Sequence, residues 1–220
     1  MYRMSNAELA APSRRWSRRK QARPSEILDA ALKVFAAKGY AAARMEDIAQ
    51  AAGVTKGTIY LYFENKETVF KALVRESIGT TVTAVAAQVE HYDGPARDII
   101  RLALTTMAQL LMNSERVVLP KIIIAESGNF PELARFYRFE IIEKGLGAFC
   151  AVIARGMARG EIRRAPVEHV ARLCIAPVLL GAIWRATFAQ FDVEPYDYQG
   201  LIETHLDVLF RGLAPERATP

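Results

Sequence analysis

Apolar residues recur along this chain at intervals of three and four, and no window alternates like a strand, so the pattern predicts an all-α protein. Ile27, Ala30, Ala31, Val34 and Phe35 make the stripe of a first helix that Gly39 ends. Met45, Ile48, Ala49 and Ala52 stand at i, i+3, i+4 and i+7, one buried face of a second. Gly53 follows where a left-handed residue closes a helix without a Cβ penalty, and Val54 fills the corner. Thr55 is placed to cap a third helix with its hydroxyl, whose inward residues are Ile59 and Phe63. Asn65 caps a fourth, with Val69, Phe70 and Leu73 inside, running on to about residue 90. After a break at 91–95, a fifth helix spans about 96–113 and a sixth about 115–126, kinked or restarted at Pro120. Pro131 opens a long seventh to about 159, Pro166 an eighth to about 191, and Pro195 precedes a ninth ending near Gly212.

The third helix turns Thr55, Lys56, Gly57, Thr58, Tyr60 and Tyr62 outward: hydroxyls, a cation, and a glycine that permits close approach. A helix lying in the major groove needs that composition, with base-edge donors and acceptors at its start and cations on phosphates. An ordinary helical hairpin with a solvated face would look similar, and charge tips the balance. Residues 1–75 carry 14 Lys and Arg against 7 Asp and Glu, whereas 76–220 carry 15 against 17. Most of the surplus lies in Arg14, Arg15, Arg18, Arg19, Lys20 and Arg23. Such a run can be a merely solvated tail. Directly before a helix-turn-helix it reads better as a flexible arm whose Arg18, Arg19 and Lys20 lie along phosphates or enter a minor groove. It lacks the apolar face an interfacial membrane helix needs.

RPSEILDAALKVFAAKGY followed by MEDIAQAAGVTKGTIYLYFENKETVFKALV resembles the DNA-binding region of TetR/AcrR-type transcriptional regulators, from about Ser25 to Val74. The resemblance implies that Thr55, Lys56, Thr58 and Tyr60 stand at or near base edges, that Tyr62 lies beside the backbone, and that Lys66 contacts a phosphate. One departure stands out. The family's Thr or Ser before helix two is replaced by Ala43 and Arg44, which weakens that cap by roughly 1 kcal/mol; Glu46 and Asp47 still suit the helix dipole, and Arg44 is free to reach a phosphate. LPKIIIAESGNFPELARFYR resembles, more loosely, the C-terminal domain of a subset of these regulators.

The expected division is an arm over 1–23, a DNA-binding domain over 24–75, a ligand-binding and dimerisation domain over 76–214, and a tail over 215–220. The resemblance implies nine helices, a small-molecule effector held among helices four to eight, and a four-helix dimer bundle from the last two helices of each chain. Apolar lining is offered by Leu104, Met107, Leu111, Phe136, Phe149, Trp184 and Phe188, with Tyr137 and Glu140, one turn apart on one face, and Thr105 as polar groups. Each would also serve as ordinary core or surface, and Trp184 suits either pocket or dimer seam. CIAPVLLGAIW is apolar all round, far short of the ~20 residues that cross a bilayer, and needs partners on two sides. Leu180 and Trp184 with Ile202, Leu206, Leu209, Phe210 and Leu213 are the expected homodimer seam. A two-fold dimer would read a near-palindromic double-stranded DNA operator, its half-sites ~34–36 Å apart or somewhat more.

Catalysis finds no motif. Cys150 and Cys174 fit no zinc or redox spacing, His91, His169 and His205 are scattered, and Gly145-Leu146-Gly147 falls inside a helical pattern with no preceding strand. Neither metal nor cofactor is expected. With no signal peptide, a reduced cytoplasmic protein is expected, with no membrane partner. The resulting expectation is a dimeric, ligand-responsive transcriptional repressor released by a largely apolar molecule; an activator of the same fold, or a helical adaptor without sequence-specific DNA binding, are the alternatives.

Overall fold

The computed structural model describes residues 14–215, with side chains from residue 24 onward. Among them the chain forms nine helices and no strand. The first three are α1 (Arg14–Ala42), α2 (Met45–Ala51) and α3 (Lys56–Tyr60). Helix α4 (66–91) consists of Lys66–Val74, a π turn Arg75–Gly79 and Thr80–His91, with helical backbone at both joins. Then come α5 (Ala96–Met112) and α6 (115–126), which opens with a 3₁₀ turn. Helix α7 (131–158) again carries a π turn, Arg138–Ile142. The last two are α8 (Val167–Thr187) and α9 (Tyr198–Gly212). The expected flexible arm over 1–23 is corrected in part: from Arg14 its backbone is helical and continuous with α1, while the contacts expected of Arg18, Arg19 and Lys20 lie outside the described side chains.

The turns follow from local chemistry. Gly39 (φ 74°) and Gly53 (φ 64°) occupy the left-handed region that penalises a Cβ, and they end α1's regular stretch and the turn after α2. Thr55 Oγ1 accepts the Thr58 amide at 3.2 Å, and Asn65 Oδ1 accepts the Thr68 amide at 2.9 Å while Thr68 Oγ1 accepts the Asn65 amide at 3.1 Å. The start of α2, lacking a hydroxyl cap, is held by the reverse half of a capping box: the Arg44 amide donates to Asp47 Oδ2 at 3.1 Å. Asp47 is paired in turn with Lys38 at 2.8 Å.

Three helix ends are closed by cations from other elements, which satisfy carbonyls at the negative end of the dipole. Arg155 donates to Val89 O at 2.9 Å at the end of α4, Lys121 to Ala186 O at 2.8 Å at the end of α8, and Arg163 to Gly212 O at 2.6 Å at the end of α9. These bonds join elements far apart in sequence.

Two regions result. Helices α1, α2, α3 and the first half of α4 bury Ile27, Ala31, Phe35, Ile48, Ile59 and Phe70. Behind them α8 packs against α5, α6, α7 and α9, and α7 packs along the second half of α4. Helix α8 is long and apolar enough by composition to pass for a membrane span. Those packed neighbours make it the central helix of this region instead.

Candidate DNA-reading surface and effector cavity

The candidate reading surface is the outer side of α3 and the residues on either side of it. Ile59 and Phe63 are buried, which turns Thr55, Lys56, Gly57 and Tyr60 outward, as expected. Several polar groups here are already engaged. The hydroxyls of Thr55 and Thr58 lie 2.8 Å apart, and Lys56 Nζ is 2.6 Å from Glu46 Oε1. That pairing holds the Lys56 ammonium above, and the Glu46 carboxyl below, their ordinary ranges. Both groups are well exposed, and such pairs contribute little to stability, so Lys56 is free to exchange Glu46 for a phosphate or base. Arg44 is exposed at the start of α2, on the flank of this surface, and Tyr62 is half-buried.

Lys66 departs from expectation. Its ammonium turns inward, donating to Tyr40 O at 2.6 Å and Ala41 O at 3.0 Å, and lies 4.5 Å from the centre of the Tyr40 ring. Burial lowers its pKa. Two of its three donors thus close the end of α1, and its first role is to tie α4 to α1. The expectation of a lysine extended to a phosphate is corrected to that extent: at most one donor remains.

Leu61 was missed. It is 81% exposed at the tip of the reading helix, between Tyr60 and Tyr62. An apolar side chain held out to solvent beside the hydroxyls expected to read bases would suit contact with a thymine methyl group. The signal was present in the sequence, as an apolar residue off the buried stripe of α3.

A cavity of about 350 Å³ opens between α4, α5, α7 and α8. Its walls include Ile78, Val82, Met107, Leu111, Ile141, Leu146 and Ile175, almost all hydrocarbon. Three polar residues are among its lining: Thr81, Tyr137 and Arg172. Burial drives the Tyr137 phenol's pKa well up, so it remains a neutral donor. Arg172 is held 3.2 Å from Glu168 on its own helix and is more than half exposed.

Of the ten residues expected to touch a ligand, Met107, Leu111 and Tyr137 line this cavity. The other seven do not. Leu104 and Phe149 are buried in the general core. Phe136 lies beneath the cations of Arg75, 4.8 Å away, and Lys71. Glu140 forms a bidentate pair with Arg75, through Nε at 2.8 Å and Nη2 at 2.5 Å. Trp184 and Phe188 meet at a tilt, ring centres 5.1 Å apart, on the outside of α8, where Trp184 Nε1 donates to Asp192 at 3.1 Å. Trp184 is therefore an outer-face residue. Thr105 lines a different, polar groove between α5 and α9.

The expected dimer stripe on α9 is also corrected. Ile202, Leu206 and Leu213 are buried within the chain, Leu209 is half-buried, and Phe210 lies under the Arg97 guanidinium at 4.9 Å. They form the face α9 turns toward α5 and α8. The free apolar surface belongs chiefly to α8: Leu173, Leu180 (63% exposed), Trp184 and Phe188 follow one another at helical spacing, with Val208 of α9 exposed as well.

No thiol chemistry is available at Cys174, which is free and whose pKa burial pushes up to about 12. Among the described residues, no three His, Cys, Asp or Glu side chains converge as a metal site.

Comparison with known proteins places these features. Residues 27–73 match the model described as bacterial regulatory proteins, tetR family, and residues 89–193 match that described as tetracyclin repressor-like, C-terminal domain. The fatty acid metabolism regulator protein of Bacillus subtilis (strain 168) is 28% identical over 196 residues, covering 88% of this chain and 98% of the relative. The uncharacterized HTH-type transcriptional regulator YdeS of the same organism is 30% identical over 152 residues, covering 69% of this chain and 73% of the relative. The crystal structure of the transcriptional regulator FadR from Bacillus subtilis in complex with stearoyl-CoA superposes with a TM-score of 0.73 at 25% identity, covering 86% of this chain and 98% of that one.

Proposed function

The chain belongs to the tetR family of ligand-responsive, DNA-binding transcriptional regulators, and we propose that it is a repressor that binds a near-palindromic operator as a homodimer and is released by an amphipathic acyl compound. In this reading Thr58, Tyr60 and Leu61 read base edges, with Gly57 allowing close approach and Thr55 serving mainly as the helix cap. Lys56 and Arg44 meet phosphates, Tyr62 lies against the backbone, and Arg18, Arg19 and Lys20 of the arm add sequence-independent affinity. The dimer seam is the outer stripe of α8, which the bundle geometry would leave wet in a lone chain.

The observation that carries the effector class is the cavity: hydrocarbon walls, one neutral phenol inside and one cation among the lining groups. A hydrocarbon chain would occupy the space between Val82, Met107 and Ile141. Its carbonyl would accept from Tyr137, and an anionic head would compete with Glu168 for Arg172. That the similar FadR was crystallised with stearoyl-CoA supports the same class here.

Selection of bound duplexes from a random pool, at about 150 mM salt with excess competitor, tests the DNA side. The expected outcome is one inverted repeat. Salt-sensitive binding without sequence preference would leave the arm as the sole DNA contact and remove the reading roles of Thr58 and Tyr60.

A further inference from the structure

Helix α4 is shared by the two regions. Its first half buries Val69, Phe70, Leu73 and Val74 in the head, and its second half gives Ile78, Thr81 and Val82 to the cavity. Between these stretches lies the π turn Arg75–Gly79. Opposite it, α7 carries the π turn Arg138–Ile142. The two turns touch: Ile141 Cδ1 lies 3.5 Å from the point where a Cβ on Gly79 would stand. Ile78 from one turn and Ile141 and Ile142 from the other form part of the cavity wall.

Off that wall, the Arg75 guanidinium meets both carboxylate oxygens of Glu140 and lies over the Phe136 ring. Among the described residues no other side-chain ion pair joins 24–75 to the region behind it. A bidentate guanidinium–carboxylate pair has a fixed planar geometry that does not slide. A π turn has one residue more per turn than its neighbours, is confined to short stretches, and recurs at functional sites. A rigid clamp set on two such turns gives the junction discrete arrangements instead of a continuum.

We propose that Arg75 and Glu140 are positioning residues for operator recognition: clamped across the paired π turns, they set the angle at which α4 carries the reading head, and an occupant of the cavity changes DNA affinity by displacing Ile78 and Ile141 and so shifting the clamp. The proposal rests on the cavity being the effector site. Neither residue lies on α3 or lines the cavity, so both act through α4. A merely structural pair would alter stability and leave the coupling between the two sites intact.

The test uses the full chain, with Arg75→Gln, Glu140→Gln and the charge-swapped double R75E/E140R. Three quantities are read for each: operator Kd alone, operator Kd with saturating stearoyl-CoA, and stearoyl-CoA Kd from intrinsic tryptophan fluorescence without DNA. If stearoyl-CoA weakens wild-type operator binding by about tenfold, a typical coupling, the single variants should still bind stearoyl-CoA within about twofold of wild type yet show less than about threefold release, with the double swap recovering most of the effect. Single variants that release the operator as wild type does would overturn the proposal, as would a double swap that melts like wild type but stays uncoupled. If wild type neither binds stearoyl-CoA nor responds to it, the reading of the cavity fails separately, and the clamp is judged without ligand. Spin labels on Gln50 of both protomers should then report a shifted or broadened head-to-head distance in Arg75→Gln. An unchanged distance distribution and operator Kd would refute the clamp.

Discussion

In the reading head, the rings of Phe35, Tyr40 and Phe70 meet at 5.2–5.6 Å, and Phe130 from the region behind joins Tyr40 edge-on at 4.9 Å. Behind it, α4, α5, α7 and α8 splay around about 350 Å³ of hydrocarbon-walled space. One region is filled and the other is hollow, although both are built from helices alone. The difference follows from what each must meet. Duplex DNA presents a fixed surface, so its reader is held rigid by aromatic packing and by caps. On the proposed reading a hydrophobic effector is enclosed, so its receptor would have to leave room and accept the loss of dispersion contacts that a void entails. Helix α4 runs through both, which lets a change in the hollow part move the filled one.

The sharpest way to break this contrast is Phe70→Ala. It removes a fully buried ring that contacts two others, and about 3–5 kcal/mol of stability should go with it. The loss should fall on the head: hydrogen exchange accelerates across α1–α3 and operator binding disappears, while stearoyl-CoA binding survives. Next in size is the response to added bulk. Ala31→Leu, at a position with no exposure, should destabilise by about 1–3 kcal/mol through overpacking. Leu111→Phe, facing the cavity, should add stability, as cavity-filling changes commonly do by about 0.5–2 kcal/mol, while abolishing acyl binding. Urea midpoints of the two variants decide it; equal losses would mean that the cavity is closed in solution.

Lys66→Met separates scaffold from phosphate contact. Loss of its bonds to Tyr40 O and Ala41 O should cost about 1 kcal/mol, within the range for a hydrogen bond, and weaken DNA binding with the salt slope unchanged. A slope reduced by about one would restore the phosphate role. The smallest expected effect is with acid. Arg75 holds the Glu140 carboxyl below its ordinary 4.5. A carboxyl whose folded pKa is depressed stabilises the fold above its unfolded value, and that stability is lost as pH falls through the folded one. Stability should thus be level above the ordinary carboxylate range and decline below it, with a shallower decline in Glu140→Gln when both are followed by urea unfolding against pH.

What was legible in advance depended on how local the physics is. Gly53, Thr55 and Asn65 act on backbone within three residues, and their roles could be read directly from type and spacing. Most boundaries from α4 to α7 were legible for the same reason, whereas α1 begins at Arg14, inside the expected arm, and α8 ends at Thr187, short of the expected 191. The inward turn of Lys66 depends on the end of α1, 25 residues earlier, and no periodicity encodes it. The cavity failed in a more instructive way. Tyr137 and Glu140 share a face at α-helical spacing, but the π turn over Arg138–Ile142 changes the register, so that Ile141 joins Tyr137 at the cavity and Glu140 turns to Arg75. On α9 the stripe Ile202, Leu206, Leu213 was correctly read as apolar and wrongly aimed, because periodicity identifies a face without saying whether its own chain or a partner covers it.

The most direct measurement of a filled reader governed by a hollow receptor is fluorescence anisotropy of a labelled operator, taken from the selected inverted repeat, titrated with the dimer in the presence and absence of stearoyl-CoA. A rise in Kd of about 5- to 150-fold, the range of ordinary allosteric coupling, is the predicted result, with decanoate and an uncharged long-chain alcohol weaker in turn. An unchanged Kd under conditions where tryptophan fluorescence shows stearoyl-CoA bound would contradict the account.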